Sequence, residues 1–139
     1  LDAQMVARLL HAEPLEKADV LFIENVGNLV CPAEFPLGEH KRITLLSVTE
    51  GDDKPIKYPV IFRNCDLVIF TKCDLLEHVD FNISEAESRI KAINPNITTI
   101  QLSAKTGYGV EKWIAWVIST LEEFKRLAKS KPHVHHAAH

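Results

Sequence analysis

Asp66-Leu67-Val68-Ile69-Phe70-Thr71-Lys72-Cys73-Asp74 decides how this chain folds. Its first half is a continuous run of apolar, partly β-branched residues. A strand written this way has both faces covered, as in a parallel sheet with helices on either side. Its second half turns polar at once, and a helical pattern follows. The arrangement then repeats: Ile97 to Leu102 reads as a strand, ends in Ser103-Ala104-Lys105 and leads into another helical pattern. Strands alternating with helices predict an α/β fold built on a parallel, doubly wound sheet.

Outward from this stretch the same rhythm holds. Residues 2–12 read as a helix, with Met5, Val6, Leu9 and Leu10 on one face and Pro14 marking its end. Asp19 to Glu24 reads as a strand, and Asn25 to Gly38 as a loop punctuated by Gly27, Pro32, Pro36 and Gly38. Ile43 to Val48 is the next strand, followed by the polar Glu50-Gly51-Asp52-Asp53. Asn82 to Ile93 is a helix, with Ser84-x-x-Glu87 as capping box, Ile83, Ala86, Ile90 and Ile93 on one face, and Pro95 as its stop. The last helix runs from Val110 to about Ala128, with Val110, Trp113, Ile114, Val117, Leu121 and Phe124 on one face and Trp116 toward the edge of that stripe. In such sheets ligands bind outside the carboxyl ends of the strands. Glu24 to Gly27, Glu50 to Asp53, Thr71 to Asp74 and Ser103 to Lys105 are all expected there.

Composition narrows the function classes. With 139 residues, 46% of them hydrophobic, the chain suits one globular domain or a large part of one. A net charge of −3 argues against a nucleic-acid binder that works through a basic face. No apolar run is long enough to cross a bilayer, and no signal peptide opens the chain, so no membrane role is expected. Cys31, Cys65 and Cys73 are an odd number without framework spacing, which predicts a reducing, cytoplasmic setting. The end of the chain, Lys131 to His139, holds His133, His135, His136 and His139. Such a stretch could bind nickel or zinc loosely, or be a disordered polar tail.

The two polar turns suggest a specific chemistry. Guanine presents two adjacent donors, N1–H and the exocyclic N2 amine. A carboxylate at Asp74 could accept both at once, whereas adenine would leave its charge unmatched. Sites built around such hydrogen bonds reject analogues by about 10⁴-fold. Lys72 would lay its methylene stem along the base with the ammonium near solvent. Ser103-Ala104-Lys105 would close the other side, with a backbone N–H toward O6. An ordinary polar turn after a strand is the plainer account of Lys72 and Asp74. The paired motif, in order and each after a strand, favours guanine.

A phosphate cradle of the form G-x-x-x-x-G-K-[ST] does not occur in the sequence. The expectation is that residues 1–128 are the C-terminal part of a nucleotide-binding domain, followed by a His-rich tail at 129–139, and that the chain alone does not hydrolyse GTP. The alternative is a chain that never bound nucleotide.

Glu24-Asn25-Val26-Gly27-Asn28-Leu29-Val30-Cys31-Pro32-Ala33 resembles the hydrogenase nickel-incorporation GTPases, metallochaperones that help deliver nickel to nickel–iron hydrogenases. The likeness continues in Ser47 to Pro55, Lys57-Tyr58-Pro59, Asp74-Leu75-Leu76, Asn94-Pro95 and Ser103 to Gly107, and covers Leu1 to about Leu121. The first of these stretches is quite specific to the family. The resemblance implies a G domain of the P-loop GTPase type that dimerises when GTP binds. Its phosphate loop and early strands would lie before Leu1. It implies GTP and Mg²⁺ as cofactors, nickel or zinc at the dimer interface, and a homodimer. The hydrogenase large subunit and other nickel-delivery accessory proteins are the implied partners.

It also implies residue roles. Taken alone, Cys31 reads as a small buried apolar residue; in the family it is a metal ligand, beside a Cys-His pair just before Leu-Asp-Ala. Glu24 and Gly27 match the segment that holds Mg²⁺ and approaches the terminal phosphate; otherwise Glu24 ends a strand on a solvated edge. Thr71, Lys72, Asp74, Ser103, Ala104 and Lys105 match the base-reading pair, although the family usually has Asn at position 71. Asp52 and Asp53 are open between a role at the site and a solvated turn. Lys54 and Lys57 could reach phosphate across a dimer. Cys65 reads as core, and Cys73 carries no role. A urease-type nickel accessory GTPase, or a non-enzymatic metal- or partner-binding module using Cys31 and the tail, are the competing readings.

Overall fold

In the computed structural model, described for residues 4, 5, 8, 11, 17–24 and 39–130, the centre is a parallel sheet of three strands. The strands are β1 (Ile43–Ser47), β2 (Leu67–Thr71) and β3 (Thr98–Gln101), in the order β1-β2-β3. Ile43 pairs with Leu67 and Leu67 with Thr98, so the three carboxyl ends emerge together. The connections are helical: α1 (Lys54–Lys57) and α2 (Pro59–Arg63) between β1 and β2, α3 (Ile83–Ile93) between β2 and β3, and α4 (Val110–Ser130) after β3. A 3₁₀ turn, Cys73–His78, leads from β2 toward α3.

Both faces of β2 are covered, as its apolar run demands, while Leu45 of β1 stays 61% exposed. Val68 and Phe70 face α2 and α3, in a core with Leu46, Val48, Phe62, Ala86 and Ile90. Leu67 and Ile69 point the other way, with Ile100, and pack against Trp113 and Trp116 of α4. The period-2 alternation of β2 therefore feeds two cores. The doubly wound parallel architecture expected from the sequence is present.

Several local readings need correction. Residues 18–24 form no strand. A parallel strand exists only beside a hydrogen-bonded neighbour, and among the described residues none flanks this segment. Phe22 instead lies on Trp113, with ring centroids 5.9 Å apart.

The cap of α3 is Asn82, whose side chain accepts the Glu85 N–H at 3.0 Å. Ser84 lies inside the helix, and Glu87 accepts from the Thr99 hydroxyl at 3.2 Å. An Asn ahead of the apolar stripe caps as well as Ser, and it took the place two residues earlier. The expected stripe of Ala86 and Ile90, flanked by Ile83 and Ile93, packs inward as read.

In α4, Trp116 packs on the sheet while Ile114 and Phe124 stay about half exposed. The helix of 21 residues spans about 31 Å, whereas five strand residues span about 17 Å. Only its first turns can therefore meet the sheet. Farther along, Phe124 meets the His40 ring at 4.4 Å between centroids. Gln4, Met5 and Arg8 are helical as expected. His11 is in a turn, and the other residues of the expected 2–12 helix lie outside the described residues.

Candidate functional site

The ends of β2 and β3 are stitched together before any ligand is considered. Leu102 N–H donates to Phe70 C=O at 2.8 Å, and Cys73 N–H donates to Leu102 C=O at 3.2 Å. Thr71, half-buried, ends β2, and its carbonyl accepts the Val48 N–H at 3.2 Å. Lys72 then takes a left-handed backbone, φ 60° and ψ 35°. That conformation costs an L-residue roughly 1–2 kcal/mol, and such strain collects at functional sites. It swings the chain off the sheet into the 3₁₀ turn, closed by Leu75 N–H to Lys72 C=O at 2.9 Å. Asp74 is in the first turn, half-buried, and Lys72 is exposed beside it.

Ser103 follows β3 and is 1% exposed. Its hydroxyl donates to Asp74 Oδ1 at 2.8 Å. Ser103 Oγ in turn accepts the Thr106 N–H at 3.2 Å. Its backbone N–H donates to Tyr108 C=O at 2.9 Å, and its carbonyl accepts the Gly107 N–H at 2.8 Å. Ser103 is thus locked on every side, and it holds one oxygen of the Asp74 carboxylate. The second oxygen, and a further lone pair on the first, are left for a ligand with two parallel donors. Ala104 and Lys105 form the exposed tip of the turn.

The structure therefore brings Thr71, Lys72, Asp74, Ser103, Ala104 and Lys105 into one place. Glu24 is exposed, at the end of a segment that is not a strand. Gly27 and Cys31 lie outside the described residues, as does the His-rich end of the chain. The parts that sequence reasoning missed are backbone groups: the Tyr108 carbonyl and the Thr106 amide that fix Ser103. The glycines of Gly107-Tyr108-Gly109 were the available signal for so tight a turn.

Asp52 and Asp53 prove to be connected. Asp52 Oδ2 accepts the Asn82 N–H at 3.1 Å. Arg89 donates to the Asp52 carbonyl at 2.9 Å, lies 3.7 Å from Oδ1, and also pairs with Glu85. Asp53 pairs with Lys57 at 2.9 Å; this hydrogen bond draws the Asp53 carboxyl below its usual range and lifts the Lys57 ammonium above its own. Lys54 lies over the Tyr58 ring, 5.5 Å from its centroid. Burial pushes the Cys65 and Cys73 thiols up. Cys65 donates to Leu67 C=O at 2.8 Å, in the core as read, and Cys73 to Phe70 C=O at 3.2 Å.

Known proteins fit this frame. The family described as CobW/HypB/UreG, nucleotide-binding domain, matches residues 2–101. The chain belongs to this family. Its relatives within the CobW/HypB/UreG family include proteins named hydrogenase maturation factor HypB. HypB of Azotobacter chroococcum mcd 1 is 50% identical over 119 residues, covering 84% of this chain and 38% of that protein. The crystal structure of HypB from Archaeoglobus fulgidus superposes with a TM-score of 0.81 at 43% identity, covering 87% of this chain and 59% of that one. HypB from Helicobacter pylori, solved in complex with nickel, gives a TM-score of 0.82 at 39% identity over 88% of this chain and 59% of that one. The CobW/HypB/UreG chain described here thus spans about two fifths of the curated relative (38%) and about three fifths of the solved ones (59%).

Proposed function

We propose that this chain is the guanine-reading part of a GTP-hydrolysing nickel metallochaperone that serves nickel–iron hydrogenase maturation. The Ser103–Asp74 hydrogen bond of 2.8 Å, at the mouths of two adjacent strands, carries the reading. It aims a carboxylate outside the carboxyl end of a parallel sheet, where such folds bind ligands. Residues 1–128 would belong to the G domain, and 129–139 to a His-rich tail.

In this reading Asp74 grips N1–H and the N2 amine, Lys72 lies along the base, and the Ala104 or Lys105 amide meets O6. Thr71 leaves base specificity with Asp74. The charge of an unmatched carboxylate rejects adenine. Glu24 would hold Mg²⁺, which would supply charge for the phosphates of GTP, Gly27 would let backbone approach the terminal phosphate, and GTP binding would favour a homodimer. Cys31 offers a thiolate to the nickel or zinc cargo, one from each subunit. The switch operates because nucleotide and metal each favour one dimer state over the other. A cytoplasmic location and docking to the hydrogenase large subunit and its accessory proteins follow from that role. Among the described residues no helix is long and apolar enough to cross a membrane.

The chain by itself is expected not to turn over GTP. The experiment uses the full-length protein and equilibrium competition between GDP and ADP. GDP is expected to win by about 10³-fold or more, and Asp74→Ala to abolish most of that margin. Equal binding of the two nucleotides by the unaltered protein removes the reading.

A further inference from the structure

The carboxylate of Asp74 is only as well aimed as Ser103, and Ser103 is only as well fixed as the turn that runs from it to α4. That turn closes at Gly109. Gly109 is buried, with φ +78°. A Cβ built there would run into the carbonyl oxygen of Gln101, far inside van der Waals contact. It would also come within 3.1 Å of the Gln101 carbonyl carbon and 3.3 Å of Leu102 Cα. These obstacles are backbone. Gln101 pairs with Phe70 across the sheet, and Leu102 is bonded on both its N–H and its C=O, so neither can retreat.

On its other side Gly109 starts α4, its carbonyl accepting the Lys112 and Trp113 N–H groups at 3.2 Å. The neighbouring Tyr108 carbonyl holds the Ser103 N–H. The bare Cα of Gly109 therefore lets the chain cross directly over the end of β3, and this crossing brings Tyr108 back to Ser103.

We infer that Gly109 is a positioning residue for base selectivity: it sets the closure of the 103–109 turn, and through Ser103 the aim of the Asp74 carboxylate. This rests on the guanine reading above. Any side chain at 109 lifts the turn away from β3, slackens the Tyr108–Ser103 bond and lets the carboxylate rotate. The loss falls on discrimination among bases more than on phosphate or ribose contacts.

Gly107 supplies an internal comparison. Its φ is +83°, yet a Cβ there meets nothing within 4 Å. Alanine at either position carries a similar backbone penalty, and only Gly109→Ala adds a collision.

The test is calorimetric titration of the full-length protein with GDP and with IDP, whose base lacks the N2 amine. The ratio of the two affinities reads the grip of Asp74, and it does not move when a variant merely lowers the folded fraction. The unaltered protein is expected to favour GDP by about tenfold to a hundredfold, the worth of one hydrogen bond to a charged group. Gly109→Ala is expected to lower that ratio at least fivefold more than Gly107→Ala does. A second variant, one glycine inserted between Tyr108 and Gly109, slackens the turn without adding a Cβ, and is expected to lower the ratio as well. A folded Gly109→Ala protein with a ratio no lower than that of Gly107→Ala overturns the inference. If Gly109→Ala does not fold, an unchanged ratio in the insertion variant overturns it. Absence of any GDP preference in the unaltered protein instead removes the guanine reading itself.

Discussion

The Asp52 carboxylate accepts the backbone N–H of Asn82 at 3.1 Å, across 30 positions of sequence. This bond joins the loop after β1 to the first residue of the α3 cap, and Arg89 clamps the same loop by its carbonyl. The loop that leaves β1 and the segment that carries Asp74 toward α3 are therefore fastened at one point. Asp52→Ala is expected to cost about 1–2 kcal/mol of stability, because the Asn82 N–H and the Arg89 guanidinium each lose a charged partner. Urea denaturation of the variant should show a lower midpoint with an unchanged slope. An unaltered midpoint would mean that the bond is not formed in solution.

Asn94 is a second fastening. Its carboxamide donates to the carbonyls of Phe62 at 3.2 Å and Arg63 at 3.4 Å, orphan acceptors at the end of α2, and to that of Cys65 at 2.9 Å just beyond it. Asn94→Ala should cost about 2 kcal/mol. Asn94→Asp should cost more, since a carboxylate cannot donate and would face three carbonyl oxygens. Equal stability of the two variants would contradict this account.

The Cys65 thiol gives a pH dependence of known sign. Burial raises its pKa above the usual 9.0, so the folded state keeps the proton at a pH where the unfolded chain has lost it. Where the unfolded chain binds fewer protons, stability falls as pH rises. The contribution is full below pH 9 and declines above it. Cys65→Ala should flatten the decline between about pH 8.5 and 10 relative to the unaltered protein. Parallel slopes in the two proteins would show that Cys65 does not carry the effect. The thiol should also resist alkylation at pH 7.5 until the protein unfolds.

Ser103→Ala removes the donor to Asp74 and the acceptor for the Thr106 N–H in a site closed to water. It should lower guanine nucleotide affinity about tenfold, while costing roughly 1–2 kcal/mol of stability. Ser103→Thr, which keeps the hydroxyl, should recover part of the affinity if the buried site admits the extra methyl. Full affinity in the alanine variant would show that Asp74 is held by other means.

The sheet was legible because β2 and β3 are written as apolar runs that only a two-faced parallel strand explains. The positions of Asp74 and Ser103 followed from the strand ends alone. Four kinds of feature were hidden. Val20 to Ile23 reads like β2, but a strand needs a neighbour and the reading of one segment cannot supply it. The helices Lys54–Lys57 and Pro59–Arg63 are a turn or so long, too short for periodicity to show, and each carries proline near its start. The bonds that lock Ser103 come from backbone atoms of Thr106, Gly107 and Tyr108, which side-chain identity does not announce. Asp52 stayed open between a role at the site and a solvated turn because its partners, Asn82 and Arg89, are distant in sequence.

The central claim is that Asp74 reads the two donors of guanine. The most direct measurement is the affinity of the full-length protein and of Asp74→Asn for GDP and for XDP, whose base carries a carbonyl where guanine has the N2 amine. The account predicts that Asp74→Asn loses at least about 10²-fold in GDP affinity and binds XDP better than GDP, because a carboxamide offers one acceptor and one donor in place of two acceptors. Undiminished preference for GDP in Asp74→Asn would contradict it.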